Sequence, residues 1–163
     1  AARYAATLGA RHLHVMAGAA EGPEAHAAFL RNLAWAAAAA PSLSLLIEPI
    51  NRTDMPGYYL SDYALALAVL EAVGAPNLGL QFDAYHAQAI TGDALAALDA
   101  VAPRLRHVQV AGPGRHEPDP AALAALLARL DALGYAGWVG AEYHPRGRTE
   151  EGLGWMRAVT PRG

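Results

Sequence analysis

The chain contains no cysteine, which excludes disulfides and thiolate metal sites; any metal must be held by carboxylate, amide or imidazole groups. It also lacks a charged N-terminal region followed by an apolar core. No apolar run approaches the roughly 18 residues needed to cross a bilayer, so neither a secretory leader nor a membrane segment is expected and the reading is cytoplasmic. There is no block of like charge and no basic face: the net charge is −3, with acids and bases scattered. That speaks against nucleic acid and for a small-molecule substrate. Large apolar side chains are fewer than the 54% hydrophobic content suggests, because much of it is alanine, as from Ala36 to Ala40. The core must come from Leu, Ile and Val.

What is present is an alternation of short β-branched or apolar runs with longer segments of helical period, joined by Gly, Pro, Asn and Asp. The 163 residues read as a single domain, 1–163. Five strands are predicted: His12 to Ala17, Leu43 to Glu48, Leu78 to Asp83, Arg106 to Val110 and Trp138 to Glu142. Between them, a helix is predicted from Asp119 as N-cap, with Pro120 at N1 and Leu123, Leu126, Leu127, Leu130 and Leu133 on one face, to Gly134. A second runs from Ser61 as N-cap to Gly74, and a third spans about Glu24 to Ala40, before Pro41. Shorter helices are expected near Asp93 and Thr149.

Repeated βα units imply a parallel sheet covered by helices, either doubly wound or a (β/α)8 TIM barrel. The segment Met16-Ala17-Gly18-Ala19-Ala20 is not the glycine-rich turn of a doubly wound nucleotide binder. Polar residues at the ends of several strands favour the barrel, whose functional groups gather at that mouth. Eight units usually need about 250 residues. Five are visible, after a segment Ala1 to Gly9 that reads as the tail of a helix. The expectation is therefore the C-terminal five βα units of a barrel, completed by preceding sequence or by another chain, a homo-oligomer or a complementing partner.

Four strands end alike. Leu45-Leu46-Ile47-Glu48-Pro49, Leu80-Gln81-Phe82-Asp83, His107-Val108-Gln109-Val110 and Val139-Gly140-Ala141-Glu142 each carry an oxygen-bearing side chain at or near the end of an apolar run. Burying such groups costs several kcal/mol unless they are paired or bound to metal. Three carboxylates without an adjacent basic partner would also repel one another. The pattern thus points to Glu48, Asp83, Gln109 and Glu142 as ligands of one divalent ion, and the hard oxygen donors suit Mg²⁺ or Mn²⁺. The alternative is a network of hydrogen bonds and salt bridges with no metal. His86, three residues past Asp83 and expected in the loop at the mouth, can donate to a substrate oxygen. Arg115, after Gly112-Pro113-Gly114, offers a planar fork for a carboxylate. The competing readings are a helix-capping histidine and a solvated arginine.

Several runs together resemble the hydroxypyruvate isomerase family: His14-Val15-Met16-Ala17-Gly18, Glu48-Pro49-Ile50-Asn51-Arg52, Phe82-Asp83-Ala84-Tyr85-His86, His107-Val108-Gln109-Val110-Ala111-Gly112, Arg115-His116-Glu117-Pro118 and Gly152-Leu153-Gly154-Trp155. That family belongs to the xylose-isomerase-like barrel superfamily, with ketose 3-epimerases and an endonuclease branch beside it. The resemblance implies that Glu48, Asp83, Gln109 and Glu142 hold the metal. It further implies that Glu48 and Glu142 form the proton-transfer pair and that His86 and Arg115 contact substrate oxygens. The amide at Gln109 favours the hydroxypyruvate branch, since the ketose epimerases are similar here but carry a histidine. The activity so implied is interconversion of hydroxypyruvate and tartronate semialdehyde through an enediolate. A ketose 3-epimerase or other small-sugar isomerase is the alternative, and a catalytically inactive barrel fragment is another.

Overall fold

In the computed structural model of the chain, residues 1–159 are described, and the five apolar runs pair in chain order into one parallel sheet. The strands are β1 (His12–His14), β2 (Ser44–Ile47), β3 (Leu78–Asp83), β4 (Leu105–Val110) and β5 (Val139–Ala141). The sheet is the partial α/β barrel expected from the βα repeat. Three strands are shorter than the sequence suggests. β1 stops at His14, β2 stops before Glu48 and β5 before Glu142, so the two glutamates sit one residue past the last paired position. Pro49 explains the early end of β2, because it has no N–H to extend the ladder.

Alternation divides the strands between two environments. One face carries Leu45, Ile47, Leu80, Phe82, Val108 and Val110, all buried in the main apolar cluster. Full burial contributes about 1.5–3 kcal/mol for side chains such as Leu80 and Phe82. In-register neighbours assign the opposite face: His14 pairs with Leu46 and Leu46 with Gly79, while Gln81 pairs with His107 and Asp83 with Gln109. Leu46 is buried yet stands apart from the helix-side cluster. The His12 and His107 rings, on strands separated by two others, come within 6.1 Å of each other, which only a strongly curved sheet allows.

Among the described residues seven α-helices flank the strands: α1 (Ala2–Leu8), α2 (Gly22–Ala39), α3 (Tyr63–Val73), α4 (Ala84–Thr91), α5 (Ala94–Val101), α6 (Pro120–Ala132) and α7 (Gly154–Val159). The α6 helix forms as its caps require: the Asp119 carboxylate accepts from Ala122 N–H and Leu123, Leu126 and Leu130 are buried, with Leu133 more than a third exposed. The α3 helix starts one residue later than expected. Asp62, not Ser61, is its N-cap and accepts from Leu65 N–H, while the Ser61 hydroxyl accepts from Arg52. Gly74 ends it in the left-handed conformation, φ 64°.

The α4 helix corrects a further expectation. His86 lies in its first turn and not in a loop, because Asp83 both ends β3 and caps α4 by accepting from Tyr85 N–H at 2.9 Å. His86 is thereby buried. Among the described residues no helix is long and apolar enough to cross a membrane.

Candidate active site

The polar ends of β2, β3 and β4 meet on the concave face. Glu48 and Asp83 are both buried, and with His86 each brings one ligand-type atom within 4.8 Å of the others. Gln109 joins through a residue that the sequence reading quoted without assigning it a role: Gln81 donates from Nε2 to Glu48 Oε2 at 2.8 Å and to Gln109 Oε1 at 2.7 Å. Its signal was its spacing, two residues before Asp83 on a strand and therefore on the same face. Glu142 stands apart from this group. Its side chain is half exposed, and its carboxylate pairs with Arg115 Nη2 at 2.9 Å.

Basic groups therefore do stand among the carboxylates, contrary to expectation. Arg115 Nη2 is also 3.4 Å from Asp83 Oδ2, and His14 Nε2 lies 3.4 Å from Glu48 Oε2. The loop after β4 folds back over the sheet ends and delivers the arginine there. Arg115 N–H donates to the Gly112 carbonyl, and its own carbonyl accepts from His144 N–H. Arg115 is the one non-glycine residue with positive φ (57°) among those described. Such a backbone conformation costs energy, and it persists where contacts at a site hold it. Gly112 permits the tight loop: a Cβ there would lie 2.2 Å from the Glu117 carbonyl oxygen.

Burial sets the protonation of this cluster. It pushes the Glu48 carboxyl up to about 8, with the Asp83 charge adding to the shift and the Gln81 hydrogen bond opposing it. Asp83 is raised to about 6, chiefly by burial, against the Tyr85 N–H and Arg115. The His86 imidazole falls to about 4, through burial and then the Arg115 charge. Glu48 Oε1 and His14 Nε2 are buried without a hydrogen-bond partner. Glu48 has no full cationic partner, and its Oε1 is buried without a hydrogen bond. This donor set fits a divalent cation, held by Glu48 and Asp83 with oxygen donors nearby.

Neighbouring groups have structural roles. Glu117 accepts from Arg146 N–H and pairs with its guanidinium at 2.9 Å, and the His116 ring contacts the His144 carbonyl. Arg148 pairs loosely with Glu150 on the surface. Tyr58 is a core residue whose hydroxyl accepts from Ala17 N–H, Trp155 packs edge-on against Tyr143, and Trp138 is exposed. A cavity of about 700 Å³ lies away from the carboxylates, in the outer layer between α4, α5 and α6. It is walled by apolar side chains and by Asp93 and Asp119, whose carboxylates cap α5 and α6. The chemistry-bearing groups are at the sheet ends.

A curved parallel sheet with acidic and amide side chains at its C-terminal ends defines the class of α/β-barrel proteins. Residues 1–159 match the xylose isomerase-like TIM barrel family, and the chain belongs to that family. It is 45% identical over 166 residues to a 2-oxo-tetronate isomerase of Cupriavidus necator, covering 96% of this chain and 64% of that protein. A putative hydroxypyruvate isomerase of Homo sapiens is 43% identical, with coverage of 99% and 64%, and the hydroxypyruvate isomerase of Escherichia coli is 36% identical, with 96% and 64%. The chain thus spans 64% of the length of each of these relatives. Among solved structures, a family 2 AP endonuclease of Brucella melitensis superposes with a TM-score of 0.88 at 38% identity, over 95% of this chain and 63% of that one. A D-allulose 3-epimerase of Methylomonas sp. shares the fold at a TM-score of 0.74 and 22% identity, over 88% and 53%.

Proposed function

We propose that this chain carries the active site of an isomerase that interconverts hydroxypyruvate and tartronate semialdehyde by proton transfer. The reading rests chiefly on the buried pair Glu48 and Asp83, linked by Gln81 to Gln109 and by Arg115 to Glu142. Relatives named hydroxypyruvate isomerase support the substrate.

Glu48, Asp83, Gln109 and Glu142 are assigned as the residues that hold Mg²⁺ or Mn²⁺. When bound, the cation would supply positive charge that stabilises the developing enediolate. Glu48 and Glu142 act as the proton-transfer pair. One carboxylate takes the proton from the hydroxyl-bearing carbon, the hydroxyl proton passes to the former carbonyl oxygen, and a proton returns to the neighbouring carbon. Burial raises the Glu48 carboxyl to about 8 in the metal-free chain, so a bound cation would be what holds it ionised for this work. His86 and Arg115 hold substrate oxygens as donors, and Arg115 suits the carboxylate of a 2-oxo acid. This chain has no lysine, so its residues offer no Schiff-base route to the same product.

A second reading has one observation in its favour: the relative at 45% identity is named a 2-oxo-tetronate isomerase, and a four-carbon 2-oxo acid presents the same reacting unit. Incubation in D₂O with Mg²⁺ and each acid in turn, followed by NMR, tests both. The expected result is deuterium incorporation beside the carbonyl, faster than in buffer, lost on chelation and in Glu142→Gln. Exchange of neither acid above the buffer rate overturns the isomerase assignment.

A further inference from the structure

The loop after β4 and the loop after β5 run side by side and are joined at matching steps. His144 N–H donates to the Arg115 carbonyl at 2.7 Å. Two residues further along each loop, Arg146 N–H donates to Glu117 Oε1 and Arg146 Nη1 to Glu117 Oε2, both at 2.9 Å. Between these links the His116 ring donates from Nδ1 to the His144 carbonyl at 2.9 Å, since a carbonyl can only accept. One carboxylate therefore takes a main-chain donor on one oxygen and a guanidinium on the other, a two-point hold that a lone surface ion pair does not give. The Glu117 side chain is only 16% exposed, against 64% for Arg146. The Arg146 N–H, followed by its own, holds the Glu117 carboxyl below the usual range, so it is ionised near neutrality. Gly152 leaves room for it: a Cβ there would lie 2.9 Å from Glu117 Oε1.

The clasp bears on Arg115 more than on Glu142. Glu142 has a separate anchor, its N–H donating to the Val110 carbonyl at 3.1 Å within the sheet end. Arg115 sits on the loop at a φ of 57°, a conformation that surrounding bonds must hold. We infer that Glu117 is a positioning residue: it locks the loop that carries Arg115 to the loop that follows Glu142, and so sets the guanidinium in its place beside the Glu142 carboxylate. Its purpose in the reaction rests on the isomerase reading given above, in which Arg115 holds the substrate carboxylate.

Three variants separate this role from loss of charge. Glu117→Gln keeps an acceptor for the Arg146 N–H but turns an NH₂ against the guanidinium. Arg146→Met keeps the main-chain bond and drops only the guanidinium, at an exposed side chain. Arg148→Met removes a charge from the same loop whose partner, Glu150, is 3.8 Å away, and should behave as the wild type.

The first readout needs no turnover: ¹H–¹⁵N spectra of the full chain labelled in arginine, with the Arg115 side chain assigned by its loss in Arg115→Met. A guanidinium held by Glu142 and Asp83 turns slowly and should give separate Nη signals in the wild type. They should merge in Glu117→Gln and partly merge in Arg146→Met. The second readout is steady-state kinetics on hydroxypyruvate with Mg²⁺, where kcat/KM should fall about 10-fold in Glu117→Gln, carried by KM. Merged signals in the wild type, or separate ones in both variants, overturn the inference. So does a fall in kcat at constant KM, which is what mere loss of folded protein would give. Should Glu117→Gln fail to fold, Arg146→Met decides alone, and spectra and KM equal to those of the wild type overturn the inference. If the isomerase reading itself fails, the wild type does not turn over hydroxypyruvate, while the arginine spectra still report the clasp.

Discussion

Arg115 Nη2 lies 2.9 Å from Glu142 Oε2 and joins the loop after β4 to the residue that follows β5. The same guanidinium reaches Asp83 at 3.4 Å and sits over the Tyr85 ring, its carbon 5.3 Å from the ring centre. It therefore neutralises two of the carboxylates assigned to the cation, and competes with it. Arg115→Met should bind Mg²⁺ more tightly than the wild type in calorimetry. Turnover of hydroxypyruvate should drop by about 10- to 100-fold, the value of a charge-assisted hydrogen bond. Weaker cation binding in this variant would mean that the arginine positions Glu142 for the metal and does not oppose it.

Gln81 serves two acceptors with one NH₂ group. Its near-isosteric replacement, Gln81→Met, leaves Glu48 Oε2 and Gln109 Oε1 without that donor. Urea unfolding should show a loss of about 1–3 kcal/mol, and Mg²⁺ affinity should weaken by about 10- to 100-fold. A variant matching the wild type in both measurements would exclude a supporting role for this amide.

Glu48 makes the metal-free protein sensitive to alkali. The unfolded chain releases this proton near the ordinary value of 4.5, whereas the folded protein keeps it to about 8. Folded protein thus binds more protons across that window, and this group's contribution to stability declines as pH rises through it. Glu48→Gln removes the dependence. Without metal, the variant should gain on the wild type as pH rises from 5 to 8, by roughly 1–3 kcal/mol at the upper end. Equal stability curves would show that Glu48 ionises freely in the fold.

His107 has the opposite sign. Burial and the facing His12 ring hold its imidazole below the ordinary 6.5, so the unfolded chain takes up a proton that the folded protein resists. Its contribution is intact above pH 6.5 and is lost as pH falls below it. Thermal unfolding of His107→Gln at pH 7 and pH 5.5 should show a smaller drop in Tm between the two than the wild type shows. An equal drop would place the acid sensitivity at other groups.

The barrel class was legible because β2 and β3 carry mainly apolar runs between turn residues, and because Asp119, Pro120 and Gly74 are strong local punctuation. Strand ends at Glu48 and Glu142 were placed one residue too far, since pairing depends on the neighbouring strand and not on local composition. His86 was set in a loop for a related reason. Nothing between Phe82 and His86 signals a helix until Asp83 is seen to cap one. Of the proposed site, the four strand-end residues stand out through a repeated pattern, whereas Gln81, His14 and Asn51 act through contacts with residues 28 to 35 positions away. Arg115 among the acids depends on a loop path fixed by Gly112 and a left-handed backbone, which no periodicity encodes.

One irregularity in the sheet decides which side chains of β4 reach the site. Between the pairs Leu80 with Leu105 and Gln81 with His107, β4 holds one extra residue, Arg106, whose side chain crosses Gly79 so closely that a Cβ there would meet its Cγ at 2.1 Å. That single insertion sets the odd-even phase of everything after it. If the bulge closed with Arg106 itself opposite Gln81, His107 and Gln109 would turn toward the helices and Val108 toward the carboxylates in one step. Substitutions along β4 change one contact at a time, but a slip of one residue in its register exchanges the interior for the site, so the place of the bulge matters as much as the side chains that follow it.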